Sequence, residues 1–224
     1  MNGGIGAFLA FLAERQGDII QAFQEHLFLS FVSVLLGAAL AIPLGVLLAG
    51  GRIAWLNGIV FAIANILQTI PSLALLAILI PLLGVGRTPA VIALFLYSLM
   101  PILRNTYAGF QAVDKGVLEA ATGMGYSRGQ QWLHIQLPLA FPYIISGIRV
   151  TTVYIISWAT LAALIGAGGL GQLIIAGMGT NKKELIVTGA ILAVIIALIA
   201  DYLLGLAEKK VAAKARIRPA ANAS

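Results

Sequence analysis

Apolar residues come in long unbroken blocks. The windows 27–51, 53–86, 88–103 and 150–181 contain no Asp, Glu, Lys or Arg. Within them apolar residues do not follow the two-residue alternation of a barrel strand, so the pattern predicts helices. A helix needs about 20 apolar residues to cross the hydrocarbon core. Together with a further block near the C-terminus, the windows predict five transmembrane helices, at about 27–49, 56–81, 89–110, 139–165 and 185–206. The predicted fold class is therefore an all-α integral membrane protein. A segment 1–25 precedes the spans and a basic tail 208–224 follows them. The apolar stretch Ile5–Ala13 is too short to cross, and is expected to lie in the interface or to cap the first span. Its first charges are Glu14 and Arg15, with no basic region ahead, so it does not read as a cleavable signal.

The interruptions within the blocks carry the next layer of information. Gly37, Ala41, Gly45 and Ala49 recur every four residues in the first span. Such a stripe lets two helix backbones approach closely where lipid removes any hydrophobic drive to associate. Pro43 should kink that helix. The window 53–86 is too long for one straight helix, and Gln68–Thr69–Ile70–Pro71–Ser72 is expected to break or bend it. Pro89 suits the first turn of the third span, and Pro101 is expected to interrupt it. Arg149 lies inside the fourth span. A charge there costs about 2.5–3.5 kcal/mol on insertion scales, so Arg149 should face protein or reach toward the near interface.

The longest polar interruption runs from Asp114 to Pro138. Asp114–Thr122 reads as one short helix with Val117, Leu118 and Ala121 on an apolar face. Gly123 and Gly125 end it. Ser127 followed by Gln130 fits a capping box, which starts a second short helix near Arg128. Pro138 cannot be a regular interior residue of that helix, and is expected to open the fourth span.

Composition agrees with the pattern. Of 224 residues, 60% are hydrophobic and 10% charged, and the mean hydropathy is +0.99. The net charge of +6 does not point to nucleic acid, because the basic residues flank apolar blocks and gather in the tail. There is no cysteine, so disulfides and thiolate metal sites are excluded; His26 and His134 lie far apart, and no metal site is expected. If the 114–137 region is cytoplasmic, Arg52, Arg104, Lys115, Arg128, Arg149 and the tail cations Lys209, Lys210, Lys214, Arg216 and Arg218 lie on or nearest the inner side. Only Arg15, Arg87, Lys182 and Lys183 then lie outside. The positive-inside rule favours this arrangement, with the N-terminus outside and the C-terminus in the cytoplasm.

Gly166–Ala167–Gly168–Gly169–Leu170–Gly171 matches G-x-G-x-x-G, but a dinucleotide site needs a strand before it and a βαβ unit around it. In an apolar helical context these glycines read instead as a tight connection after span 4, a candidate gate. No G-x-x-x-x-G-K-[ST] sequence is present, so this chain is not expected to hydrolyse ATP or to be an enzyme.

The 119–138 stretch reads Glu119–Ala120–Ala121, three residues, Gly125, nine residues, then Ile135-x-Leu137–Pro138. This resembles the EAA motif of type I ABC importer permeases, with all its fixed positions at the right spacing. Beyond the motif, residues 68–86, 96–109 and 163–174 are similar to permeases of osmoprotectant uptake systems, which carry glycine betaine, choline or carnitine. The glycine-rich segment also occurs in methionine-type importers, so an amino acid remains an alternative solute. An ion-coupled secondary transporter is a more distant one, since Asp201 alone among the acids lies within or near a predicted span.

The resemblance implies a methionine-importer-like permease fold. It implies a coupling helix that docks on an ATPase through Glu119, Ala120, Ala121, Met124, Gly125, Tyr126 and Arg128, with Leu137 and Pro138 closing the motif. The implied assembly has two permease subunits, alike or similar, two ATPases holding ATP and magnesium, and an extracytoplasmic binding protein. It needs membrane lipid and no cofactor in this chain. A quaternary ammonium favours aromatic faces, which makes Tyr97, Tyr154 and Trp158 candidate pathway residues beside Gln68, Thr69, Ser72 and Ser98. Pro71, Gly166, Gly168, Gly169 and Gly171 are the candidate hinges.

Overall fold

The computed structural model describes residues 4–51 and 54–215, all helix and connection among the described residues. The cations Arg52, Arg216 and Arg218 lie outside them. In chain order the helices are α1 (Gly4–Glu14), α2 (Gln16–Ala49), α3 (Ala54–Thr69), α4 (Ser72–Leu83) and α5 (Arg87–Gln111). There follow α6 (Lys115–Gly123), α7 (Arg128–Gln131), α8 (Leu137–Ala159), α9 (Leu170–Thr180) and α10 (Lys183–Ala215). A π turn, Trp132–Gln136, joins α7 to α8, and a 3₁₀ turn, Leu161–Ile165, follows α8.

Four helices are long and apolar enough to cross a membrane alone: α2, α5, the continuous rod Arg128–Ala159, and α10. The fifth apolar block differs from a single span. It is a bent pair, α3 and α4, turned through 97° between Thr69 and Ser72. Pro71 has no N–H to continue α3, and its φ of −56° with ψ of 138° starts α4 in a new direction.

Three boundaries also move. The helix of the first span begins at Gln16, before the apolar window does, because a helix carries polar residues readily once it leaves the hydrocarbon. The fourth span ends at Ala159, and Leu161–Ile165 tightens into the 3₁₀ turn. Pro138 stands in the first turn of α8, as expected, but no loop separates α7 from that helix. The π turn ahead of it pairs the Leu137 N–H with the Trp132 carbonyl, five residues back, and α7 runs on into α8. The wider turn makes room for a proline that would clash with a regular helix.

Helix α5 lies at the centre, packed on α2 and α8. The small-residue stripe of α2 is its contact with α5. A Cβ on Gly37 would run into the Ser98 side chain, and one on Gly45 would lie 2.8 Å from Thr106 Cβ. Ala41 is buried between them. Pro101 does not interrupt α5. The helix continues through it, and Asn105 Nδ2 donates to the Pro101 carbonyl at 2.8 Å. One apolar cluster joins Leu29, Leu75, Leu94, Tyr97, Ile155 and Ala162 from α2, α4, α5, α8 and the 3₁₀ turn. A second, around Ile156, Leu170, Leu173 and Ile196, seats α9 and α10. Outward surfaces stay apolar, with Leu35, Leu47, Leu198 and Tyr202 exposed. In water such a surface would aggregate; in a bilayer it meets lipid or another subunit.

Arg149 faces protein. Its Nε and Nη2 pair with Asp201 Oδ1 and Oδ2 at 2.7 and 2.8 Å, and Nη1 reaches Glu208 Oε2 at 3.0 Å. The bidentate geometry fixes α8 to α10 and leaves the charge compensated. Gly205 leaves the space, since a Cβ there would lie 3.0 Å from the guanidinium carbon.

Candidate functional site

The candidate residues fall into three places. The first is a polar hairpin, α6 and α7, at one end of α5. Asp114 caps α6 by accepting from the Val117 N–H at 3.2 Å. Ser127 and Gln130 form the reciprocal capping box that starts α7. The turn between them needs Gly125, whose φ is +83°. The Tyr126 N–H returns to the Ala121 carbonyl at 3.0 Å.

A residue that sequence reasoning passed over holds the hairpin shut. Gln131 is buried, and its Nε2 donates to Thr122 Oγ1 at 3.0 Å and to the Tyr126 carbonyl at 3.1 Å. Its only signal in the sequence was an amide on the inner side of a short amphipathic helix. Ala121 is fully buried as well, so it packs inside its own chain and cannot serve as a docking anchor. Glu119, Ala120, Met124, Gly125, Tyr126 and Arg128 are exposed. Met124 and Tyr126 are large apolar groups facing solvent. With Gly125, Gln130 and His134 they line an open hollow of about 350 Å³. Leu137 is half-buried and Pro138 exposed in the rod that continues into α8.

The second place is the bend between α3 and α4. Pro101 has no N–H, so it leaves the Tyr97 carbonyl without its intrahelical donor. Gln68 Nε2 donates to that carbonyl at 3.3 Å. The Tyr97 hydroxyl donates back to the Ile70 carbonyl, at the bend, at 2.5 Å. Thr69 Oγ1 turns to its own helix, donating to the Ile66 carbonyl at 2.8 Å. Tyr97 meets Trp158 edge to face at 4.5 Å, and Trp158 stacks with Tyr154 at 6.2 Å. Ser72 and Leu76 close over Tyr97 and Trp158. The aromatic trio is thus assembled, but unevenly presented. Tyr97 is buried and Tyr154 is exposed. Ser98 lies apart from them, fully buried against α2, where its Oγ donates to the Phe95 carbonyl at 2.6 Å. It packs two helices together and faces no opening in this conformation.

The third place is the glycine loop, at the opposite end of α5 from the hairpin. Gly166, Gly168 and Gly169 have φ of +73°, +84° and +81°. Gly171 presses on the backbone of Thr160 so closely that no side chain fits. The Gly86 N–H donates to the Ile165 carbonyl at 2.7 Å, tying the start of α5 to the loop. Pro71 stands apart from these glycines, at the α3–α4 bend. Among the described residues no three His, Asp or Glu side chains gather as a metal site.

The described residues thus form a bundle of apolar spans with a polar hairpin at one end and a tight glycine loop at the other. The chain belongs to the family described as the binding-protein-dependent transport system inner membrane component, whose model matches residues 41–213. It is a permease component, and as such a multi-pass protein of the inner membrane. It is 47% identical over 206 residues to the glycine betaine/carnitine/choline transport system permease protein OpuCB of Bacillus subtilis, covering 92% of this chain and 94% of that one. It is also 47% identical over 200 residues to the choline transport system permease protein OpuBB of the same organism, covering 89% and 91%. Among solved structures, a chain of the MetNI methionine ABC transporter in inward-facing conformations superposes with a TM-score of 0.81, at 25% identity, covering 88% of this chain and 98% of that one. The type I importer permease fold is therefore the fold of this chain.

Proposed function

We propose that this chain is the translocating subunit of an ATP-driven importer for quaternary ammonium osmoprotectants such as glycine betaine, choline and carnitine. The observation that carries the reading is the 47% identity, over nearly the whole of both chains, to a permease of a glycine betaine/carnitine/choline transport system. The chemistry of the Tyr97–Trp158–Tyr154 group is compatible with passage of such cations.

In this reading the α6–α7 hairpin lies in the cytoplasm and docks into a groove of a partner ATPase, which holds ATP and magnesium. Met124 and Tyr126 supply the apolar anchors and Glu119 and Arg128 the polar rim, the pattern of helix-in-groove recognition. Ala120 and Gly125 keep the contact surface low. Leu137 and Pro138 pass the motion on, since α7 and α8 form one rod. Two permease subunits, alike or similar, sit on two ATPases, and an extracytoplasmic binding protein delivers solute. The N-terminus lies outside and the C-terminus inside, as the cation distribution favours. The likeness to chains crystallised facing inward supports reading this conformation as inward-facing.

Uptake of labelled glycine betaine, choline and methionine by the complete reconstituted complex tests the assignment. Quaternary ammonium uptake that needs ATP is the expected result. Uptake of methionine alone would overturn the substrate class, and uptake without the ATPase would overturn the machine.

A further inference from the structure

We infer that Glu25 and Arg87 are gating residues: with the glycine loop they form a latch that holds the end of the bundle opposite the hairpin shut, and that must open in each transport cycle. The inference rests on the transport reading above and adds residues that it does not use.

Three parts of the chain meet at the Glu25 carboxylate. Arg87 Nη2, at the start of α5, donates to Oε1 at 2.6 Å. The Gly169 N–H, in the glycine loop, donates to Oε2 at 2.9 Å. Gln21 Nε2, one turn back on α2, donates to Oε1 at 3.0 Å. The glycines are shaped for this contact. A Cβ on Gly168 would collide with the Glu25 carboxylate, and one on Gly169 would come within 3.2 Å of His26 Nδ1. His26 is itself buried, its Nε2 donating to the Ile156 carbonyl at 3.1 Å. Two consecutive residues of α2 therefore grip two consecutive glycines.

The contact is built to be reversible. The Arg87 side chain is 57% exposed and that of Glu25 11%. The guanidinium therefore reaches water while the carboxylate is largely covered, so Arg87 can exchange its ionic bond for water and leave Glu25 still held by the Gly169 N–H and Gln21. The latch also sits where a gate has leverage. α5 spans 25 residues, about 37 Å at 1.5 Å per residue, from Arg87 to the polar hairpin. A tilt of α5 driven at the hairpin end moves Arg87 at the other. In the inward-facing reading the far end must be closed, and the latch is made in this structure.

The test uses the complete complex in liposomes, comparing wild type with R87A, E25Q and the double variant. Arg87 is solvent-facing, so R87A is not expected to unfold the subunit. The latch predicts that ATP hydrolysis without binding protein rises in R87A and E25Q by up to about fivefold, the population change that one ion pair with a solvent-facing cation can hold. It predicts fewer solute molecules imported per ATP, and a double variant no stronger than the larger single. Hydrolysis unchanged in R87A, or effects that add in the double variant, would overturn the latch. Failure of the wild-type complex to import any quaternary ammonium, while the ATPase ratios shift as stated, would overturn the substrate assignment and leave the latch in place.

Discussion

Gln68 Nε2 donates to the Tyr97 carbonyl at 3.3 Å, the carbonyl that Pro101 leaves without an intrahelical donor. The Tyr97 hydroxyl in turn donates to the Ile70 carbonyl at the α3–α4 bend. One tyrosine thus receives a bond from one side of the bend and returns a bond to it. In the membrane interior an unpaired carbonyl has no water to turn to, so a broken helix survives only where a neighbour satisfies it.

Q68L and Y97F should therefore loosen the same joint. Each is expected to lower the thermal stability of the purified subunit by about 1 kcal/mol, the net worth of a single hydrogen bond. The two changes should not add, because each removes one half of a shared contact. Denaturation of both singles and the double in detergent measures this. Additive losses would mean that the two bonds do not act as one joint.

Glu119→Lys and Gly125→Val should leave the subunit inserted but separate ATP hydrolysis from uptake. Glu119 is exposed on the proposed docking rim, and reversal of its charge changes the surface offered to the ATPase. Gly125 has φ of +83°, and a branched residue there would strain the turn by about 1–2 kcal/mol and displace Met124 and Tyr126. Uptake and hydrolysis measured together decide the matter. Normal uptake in both variants would remove the docking role from this hairpin.

The fold class was legible because charge-free windows and proline positions are local features. The 68–72 break was legible too, since a proline beside Gln, Thr and Ser in a window too long for one straight helix marks where it breaks or bends. Its 97° angle was not, nor were the bonds from Tyr97 of another helix that hold the bend. Helix α9 was hidden by its glycines, and the rod through Pro138 by a π turn that no single residue announces. Arg149 and Asp201 each stood out as costly charges, but only folding brings together residues 52 apart. Glu25 drew no attention, because its partners lie 62 and 144 residues away.

R149A should destabilise the α8–α10 contact more than R149K. Arg149 makes two parallel bonds to Asp201 and a third to Glu208. Alanine leaves both carboxylates without a cation, while lysine keeps the charge and loses the fork. R149A is expected to melt below R149K, and R149K below wild type, because the pair is partly open and its worth lies in the fork that joins the two helices. Thermal melting of the detergent-solubilised subunit reads the order, and a D201N/R149M pair should recover part of the loss, since removing both charges leaves less unsatisfied. Equal melting of R149A and R149K would show that the bidentate geometry contributes nothing.

Two glycines of the same helix should respond in opposite directions. Gly37 faces α5 so closely that a Cβ would run into the Ser98 side chain, and Ser98 is itself fully buried. Gly37→Ala must therefore push α2 from α5, at a cost of about 1–3 kcal/mol for overpacking. Ser98→Ala should relieve only part of this, because the Ser98 Cβ already lies 2.9 Å from the added atom. Gly17 lies exposed near the start of α2, and a Cβ there meets nothing within 4 Å. Gly17→Ala should leave stability unchanged or raise it by about 0.5–1 kcal/mol, through the lower backbone entropy of alanine in the unfolded chain. Melting curves of the two variants side by side separate close packing from helix propensity. If G37A proved as stable as G17A, the small-residue stripe would be a matter of composition and not the seam on which α2 and α5 meet.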